Sequence, residues 1–183
     1  MNWLQSLKHG YSLKVFEQRA RKVTFPHAFV DLDKAASVGF IINMGLFSPE
    51  DLVDFTKYIT RLEHSGKVVL VVELNFKRKG SPMFKDSVRS IFINPEQINW
   101  LGLPSVRRLQ ELNKARLDLL VNLDTSESMT SRYICGLSNA RTRVGLHELG
   151  YEKFYELLLD MPRTTSMQEL LGAFETFTKM LEK

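Results

Sequence analysis

Apolar residues gather into short runs divided by stretches with helical spacing, and this alternation predicts most of the architecture. The clearest case spans Arg116 to Leu146. Leu117 to Leu123 is nearly continuous in apolar residues and stops at Asp124, the pattern of a parallel strand covered on both faces. The hydroxyl-rich loop Thr125, Ser126, Ser128 follows. Met129, Tyr133, Ile134 and Leu137 then recur at three- and four-residue spacings, and Arg141 to Leu146 begins another strand. Strand, helix and strand in so short a span make a βαβ unit, which implies a right-handed crossover and parallel pairing.

The same grammar is read elsewhere. Ser37 to Met44 supplies a first strand, after which Ser48 is placed to cap a helix with Pro49 at its first position and Glu50 and Asp51 in its first turn. Leu52, Phe55, Ile59 and Leu62 form its apolar stripe, and Gly66 is placed to end it in the left-handed conformation. Lys67 to Phe76 and Ser90 to Ile93 read as further strands, Ser105 to Arg116 as a helix, and Phe154 to Leu159 as a last short strand. Ser166 and Glu169 have capping-box spacing, with Leu170, Leu171, Phe174, Phe177 and Leu181 as the face of a final helix. Thr24 to Lys34, which contains Pro26, reads as a connector wrapping the surface. The expected fold class is α/β: a single Rossmann-like three-layer domain over residues 35–183, with roughly five or six mainly parallel strands and helices on both faces. Residues 1–34 form an arm and connector ahead of it.

Charge changes the picture only at the start of the chain. The formal net charge of the 183 residues is +4. All of it lies in residues 1–22, where Lys8, Lys14, Arg19, Arg21 and Lys22 face only Glu17. Trp3, Leu4, Leu7 and Tyr11 recur there at helical spacing, and Val15 and Phe16 extend the apolar side. Such a basic amphipathic helix contacts RNA, anionic lipid or an acidic protein, or else packs its apolar side on the domain and leaves its lysines solvated. The leading expectation is a non-catalytic binding module that meets a protein or other anionic partner through Lys8, Lys14, Arg19, Arg21 and Lys22. Residues 1–22 would then be removable without unfolding the domain. The longest apolar runs, Val68 to Val72 and Val38 to Phe47, fall far short of the ~20 residues that span a bilayer. The start of the chain lacks secretory features, and the lone Cys135 can form no internal disulfide, so a cytoplasmic protein is expected.

Candidate chemistry follows from topology, because ligands in open parallel sheets lie beyond the carboxyl ends of the strands. That places Asn43, Gly45, Asp124, Thr125, Ser126, Ser128 and His147 as candidate ligand-binding residues, the alternative being an enzyme or sensor for a small anionic or sugar-nucleotide-like molecule. The same residue types also cap helices and satisfy loop backbone. Asp124 and His147 are the acid and base to compare. The glycine fingerprint of dinucleotide sites and the phosphate loop ending in Gly-Lys-Ser/Thr are both absent. No serine stands in a nucleophile elbow, and the four histidines are isolated from metal-ligand partners, so no cofactor or metal is expected. Cys135 falls on the apolar side of its helix and reads as a buried, inert thiol. Lys77, Arg78 and Lys79 read as an exposed turn.

Four segments carry a resemblance: Ser37-Val38-Gly39, Trp100-Leu101-Gly102-Leu103-Pro104, Leu117 to Leu123, and Leu137 to Gly145 with its Ser138-Asn139-Ala140-Arg141-Thr142-Arg143-Val144 core. Together they resemble an uncharacterised family of small proteins from Bacteroidota, a domain of unknown function, across nearly the whole chain. Asp118 to Gly145 is also similar to the N-terminal, acceptor-side half of heptosyltransferase-type glycosyltransferases, in its strand, Ser-containing helix, basic pair and Val-Gly. That second family has two Rossmann-like domains and an early Gly-Asp segment bearing its catalytic acid. Asn43-Met44-Gly45-Leu46-Phe47 does not match that segment, so the resemblance implies shared architecture and no transferred activity.

Overall fold

A computed structural model describes residues 3–21, 28–77, 81–84, 88–126, 128–147, 151–162 and 165–180. Lys22, Pro26, Arg78, Lys79, Glu148 and Leu181 lie outside them. The elements in chain order are α1 (Trp3–Ala20), β1 (Ser37–Asn43), α2 (Pro49–His64), β2 (Val68–Leu74), β3 (Arg89–Ile93), α3 (Val106–Asn113), β4 (Leu119–Asn122), α4 (Met129–Gly136), β5 (Thr142–Leu146), β6 (Leu157–Leu159) and α5 (Met167–Met180). Among the described residues the strands form one six-stranded sheet in the order β3-β2-β1-β4-β5-β6. Every neighbouring pair is parallel. The expected Rossmann-like α/β class is therefore what the chain adopts, with six strands.

The central strand β1 pairs with β2 from Ser37 opposite Val68 to Asn43 opposite Leu74, and with β4 from Val38 opposite Leu119 to Ile41 opposite Asn122. Its side chains alternate between two cores, which is why its apolar run is nearly unbroken. Val38, Phe40 and Ile42 face a layer that includes Phe55 and Ile59 of α2 and Leu170 and Phe174 of α5. Ile41 faces Leu120, Ile134 and Cys135 on the α3 and α4 side. Phe40 meets the rings of Phe55, Tyr58 and Phe174 edge-on at 5.5, 5.9 and 6.0 Å between centroids.

Local signals set the helix ends. The Ser48 side chain accepts from Asp51 N, and Asp51 Oδ2 in turn accepts from Ser48 N at 3.1 Å, which completes a capping box. Gly66 ends α2 at φ +87°, the region a Cβ disfavours. Ser166 N donates to Glu169 Oε2 at 2.9 Å at the head of α5. Asp51 also reaches across the layer, since its Oδ1 accepts from Met167 N at 3.1 Å. The amides of Met167 and Ser48 hold the Asp51 carboxyl below the ordinary aspartate range. A lowered folded-state pKa means that its stabilisation is complete above about pH 4 and is lost as the pH falls through the lowered value. Asp51→Asn is accordingly expected to lower the melting temperature at pH 7, with a deficit that shrinks below about pH 4. Equal deficits at pH 7 and pH 3 would refute this account.

Several expected boundaries shift. The Ser105 to Arg116 helix ends at Asn113, and Arg116 turns out of it at φ +48°. The strand expected over Leu117 to Leu123 has its ladder only at Leu119–Asn122, although Leu117 and Leu123 are still buried. The last strand begins at Leu157 rather than Phe154, because Phe154 closes a 3-10 turn and packs in another cluster. On α5 the inward position belongs to Thr178 rather than Phe177, with its hydroxyl satisfied by the Phe174 carbonyl at 2.8 Å. The connector is not merely a surface wrap: Val30, Leu32 and Ala35 join the core, and Val30 N donates to Thr142 Oγ1 at 2.8 Å.

Helix α1 lies outside α4 and is held on its Ser12 and Phe16 side, so that of its expected apolar residues Phe16 turns inward and Trp3, Leu7 and Tyr11 do not. Phe16 is fully buried, with its ring 4.0 Å from that of Phe154 and 5.8 Å from that of Tyr133. Ser12 Oγ donates to the Leu101 carbonyl at 2.8 Å. Trp3, Leu7 and Tyr11 point outward. No helix among the described residues is long and apolar enough to cross a membrane.

Candidate functional site

Strand order reverses between β1 and β4: the chain passes from β1 outward to β3, then crosses back through α3 to β4 on the other side. Loops leaving the two strands part there and leave a crevice. A cleft of about 370 Å³ lies at this point. Asn43 from the end of β1, Ser126 and Ser128 from the loop after β4, and Met129 and Thr130 from the start of α4 form one side. Lys8, His9 and Ser12 of α1, Phe76 after β2, and Leu101 and Gly102 complete it.

Asp124 organises the loop beneath the cleft. It is 1% exposed, and a carboxylate taken that far from water requires donors. Ser126 N and Oγ reach its Oδ1 at 3.1 and 2.5 Å, and Ser128 N and Oγ reach its Oδ2 at 3.2 and 2.5 Å. Asn43 Nδ2 adds a bond to Oδ1 at 3.3 Å, and Asn43 Oδ1 accepts from Gly45 N at 3.2 Å. Ser128 also caps α4 by accepting from Ser131 N. The loop amides and hydroxyls that could receive an anion are thus turned inward onto Asp124, and an anion entering there would compete with a carboxylate already in place. The uncommitted charge of the cleft stands opposite, on Lys8 of α1, which is exposed.

Of the candidate residues, Asn43, Gly45, Asp124, Ser126 and Ser128 come together in this network. Thr125 is buried beside it. His147 is exposed at the end of β5 and does not line the cleft, so the structure does not pair it with Asp124 there. Of the basic residues, Lys8 lines the cleft, whereas Lys14 on α1 and Arg21 just past its end are exposed. Arg19 donates to the Tyr133 hydroxyl. Among the described residues no group of three or more His, Cys, Asp or Glu is placed to hold a metal ion. Cys135 is fully buried, and that burial pushes its thiol pKa up, away from the nucleophilic thiolate.

Among the described residues, buried charges escaped the sequence reading, Glu73, Arg143 and Arg132 among them. Glu73, fully buried on β2, accepts from the amides of Met83 and Phe84 at 2.7 and 3.2 Å. Arg143 on β5 bonds Glu156 and the Gly136 carbonyl. Arg132 lies over the Tyr151 ring at 4.0 Å. Runs of apolar neighbours do not announce such residues. The one signal available is a charged residue at an inward position of a buried strand, as with Glu73 between Val72 and Leu74.

Two solved structures resemble this chain. The chain is similar to Escherichia coli heptosyltransferase WaaC with ADP, at 13% identity and a TM-score of 0.48 over 76% of this chain and 46% of that one. It is also similar to the glycosyl transferase family 9 protein of Veillonella parvula, at 13% identity and a TM-score of 0.51 over 82% of this chain and 42% of the other. This chain therefore spans less than half the length of either, and its likeness to the Veillonella protein is one of fold. No curated protein matches the sequence. Residues 8–181 match a family of unknown function, DUF6913, and the chain belongs to that family.

Proposed function

We propose that this protein is a ligand-binding α/β domain whose site is the cleft at the strand-order reversal. Its ligand would be a small molecule joining an anionic group to an apolar or planar part. One observation carries the reading: at the point where open parallel sheets receive ligands, a cationic side chain, Lys8, faces a wall built from Phe76, Leu101 and Met129. Asp124 does not oppose an anion as a bare charge would, because its oxygens are taken up by donors from Ser126, Ser128 and Asn43. Lys8 and His9 are the titratable groups among the described lining residues, and both can hold an anionic group.

A thermal-shift series with nucleoside diphosphates, sugar phosphates, aromatic carboxylates and inorganic phosphate tests the reading. A native-state ligand at a hundred times its Kd adds about 2.7 kcal/mol of stability. The expected outcome is a raised melting temperature with an anion that carries a ring, and none with inorganic phosphate. Lys8→Ala should weaken that binding by about tenfold or more, the scale of a lost charge-assisted hydrogen bond, and Phe76→Ala should weaken it as well. Shifts unchanged in both variants, or absent with every probe, would overturn the site.

A second reading has its own observation. Lys14 on α1 and Arg21 just past its end are exposed, and Glu17, the carboxylate beside Arg21, is engaged by Lys153, which favours a module that docks on an anionic partner through this helix.

A further inference from the structure

Trp3, Leu7 and Tyr11 are four residues apart on α1, so they form one stripe along the helix. They are 67%, 62% and 56% exposed, and Trp100, from the loop before α3, is 69% exposed. Four large apolar side chains at that exposure on one side of a small domain are unusual if taken singly as surface noise, because the patch is continuous. Tyr11 stacks on Trp100, with ring planes 14° apart and centroids at 6.4 Å. The stripe is not the docking face of the helix. Ser12 and Phe16 hold the opposite side against Leu101 and Phe154, so the aromatic side is left outermost.

Charge runs along the same outer side. Helical geometry places Lys14 and Arg21 eleven and eighteen residues from Trp3, within a narrow angle of the stripe, and both are exposed. Lys8 flanks it. Tryptophan and tyrosine mixed with lysine and arginine is the composition of a membrane interface, where ring bodies enter the headgroup region and cations meet acidic lipid. An acidic groove in a protein would instead need apolar pockets for the rings, and a single-stranded RNA would need a channel rather than a convex helix face.

We infer that α1 and Trp100 form an interfacial membrane-docking surface, with the helix lying flat on an anionic bilayer and its Phe16 side remaining in the protein. This deepens the second reading above by naming the partner class, and it leaves the cleft assignment independent. Docked in this way, the domain would present the cleft walled by Lys8 and His9 close to the lipid headgroups, since these residues belong to the same helix.

The chain holds two tryptophans, Trp3 and Trp100, and both belong to the patch, so intrinsic fluorescence reads the surface directly. The full chain is mixed with vesicles of pure phosphatidylcholine, with vesicles containing one quarter phosphatidylglycerol, and separately with a single-stranded polyuridylate. The expected result is co-sedimentation and a blue-shifted emission with the anionic vesicles only, reversed by high salt and quenched by lipids brominated near the headgroup. Trp3→Ala and Leu7→Ala together should reduce partitioning about tenfold or more, the scale of returning buried apolar side chains to water. Lys14→Ala should cost about fivefold at low salt. These positions are exposed, and an unchanged melting temperature confirms that each variant is folded. Failure to bind anionic vesicles overturns the membrane proposal, and binding of polyuridylate in its place would assign the surface to a nucleic acid instead. Vesicle binding that ignores Trp3 and Leu7 would also overturn the proposed surface.

Discussion

Arg143→Met is expected to cost about 3–5 kcal/mol of stability, the range for removing one partner of a buried ion pair. The Arg143 and Glu156 side chains are 2% and 7% exposed. Arg143 Nε donates to Glu156 Oε2 at 3.0 Å, and Nη1 donates to the Gly136 carbonyl at 3.0 Å. The backbone repeats the linkage: Arg143 N reaches Glu156 Oε2 at 2.6 Å, and Glu156 N reaches the Arg143 carbonyl at 3.0 Å. Truncating the arginine leaves a carboxylate in a low-dielectric site with its main cationic partner gone, and that loss, more than the pair's net attraction, sets the cost. The pair joins the C-terminus of α4 to β5 and to the approach of β6, a three-residue strand with little ladder of its own. Denaturant melts of Arg143→Met, Glu156→Leu and the double variant check the argument. The double variant should recover much of the loss, whereas two single losses that simply add would show that the charges act independently.

Phe16→Ala is expected to cost a similar 3–5 kcal/mol, as large aromatic truncations in cores do. Its local consequence is larger, because Phe16 is fully buried and anchors α1 to the domain. The ring fits because position 136 carries no side chain: a Cβ on Gly136 would lie 2.5 Å from Phe16 Cζ. Losing the ring removes the stack on Phe154 and loosens the helix that brings Lys8 and His9 to the cleft. Amide exchange in Leu7–Ala20 should therefore accelerate more than exchange in β1 and β4, and any ligand-induced melting shift should vanish. Protection of α1 equal to that of the native chain would sink the argument. The same burial bears on removing residues 1–22, which would uncover Tyr133 and Phe154 rather than release a passive arm.

The parallel sheet could be read before any coordinates because its physics is local and repetitive. Val68 to Val72 and Leu117 to Leu123 are too short for core helices and too apolar for exposed strands, and the first and fourth strands are followed by helix-start chemistry at Ser48 and Ser128. The N-cap at Ser48, the capping box at Ser166 and the left-handed Gly66 follow from bonds within a few residues, and they are found where expected. Asn43, Asp124, Ser126 and Ser128 could be nominated together because a parallel sheet sends its strand ends to one side.

Other features depend on which distant segments meet. The direction of α1 is one: the spacing of Trp3, Leu7 and Tyr11 announces an apolar face, but what α1 buries is decided by the groove between Tyr133 and Phe154, more than a hundred residues away. The turn at Phe154 was read as strand because an apolar residue that packs sideways under a helix has the same letter as one in a ladder. His147 follows β5, the neighbour of β4, so strand order brings the two loops side by side, and it is the exposure of His147 outside the cleft lining that no spacing in the sequence announces.

By itself, then, the sequence determined the class of fold, the elements, their caps and the side of the sheet on which to look, because these rest on spacing and on hydrogen bonds between near neighbours. The tertiary structure alone decided the strand order 3-2-1-4-5-6, the Arg143–Glu156 pair, the inward turn of the loop donors onto Asp124 and the outward aromatic face of α1. Each of these depends on burial and on contacts between segments far apart in the chain, and no local pattern encodes which charge will find its partner or which face will find its groove.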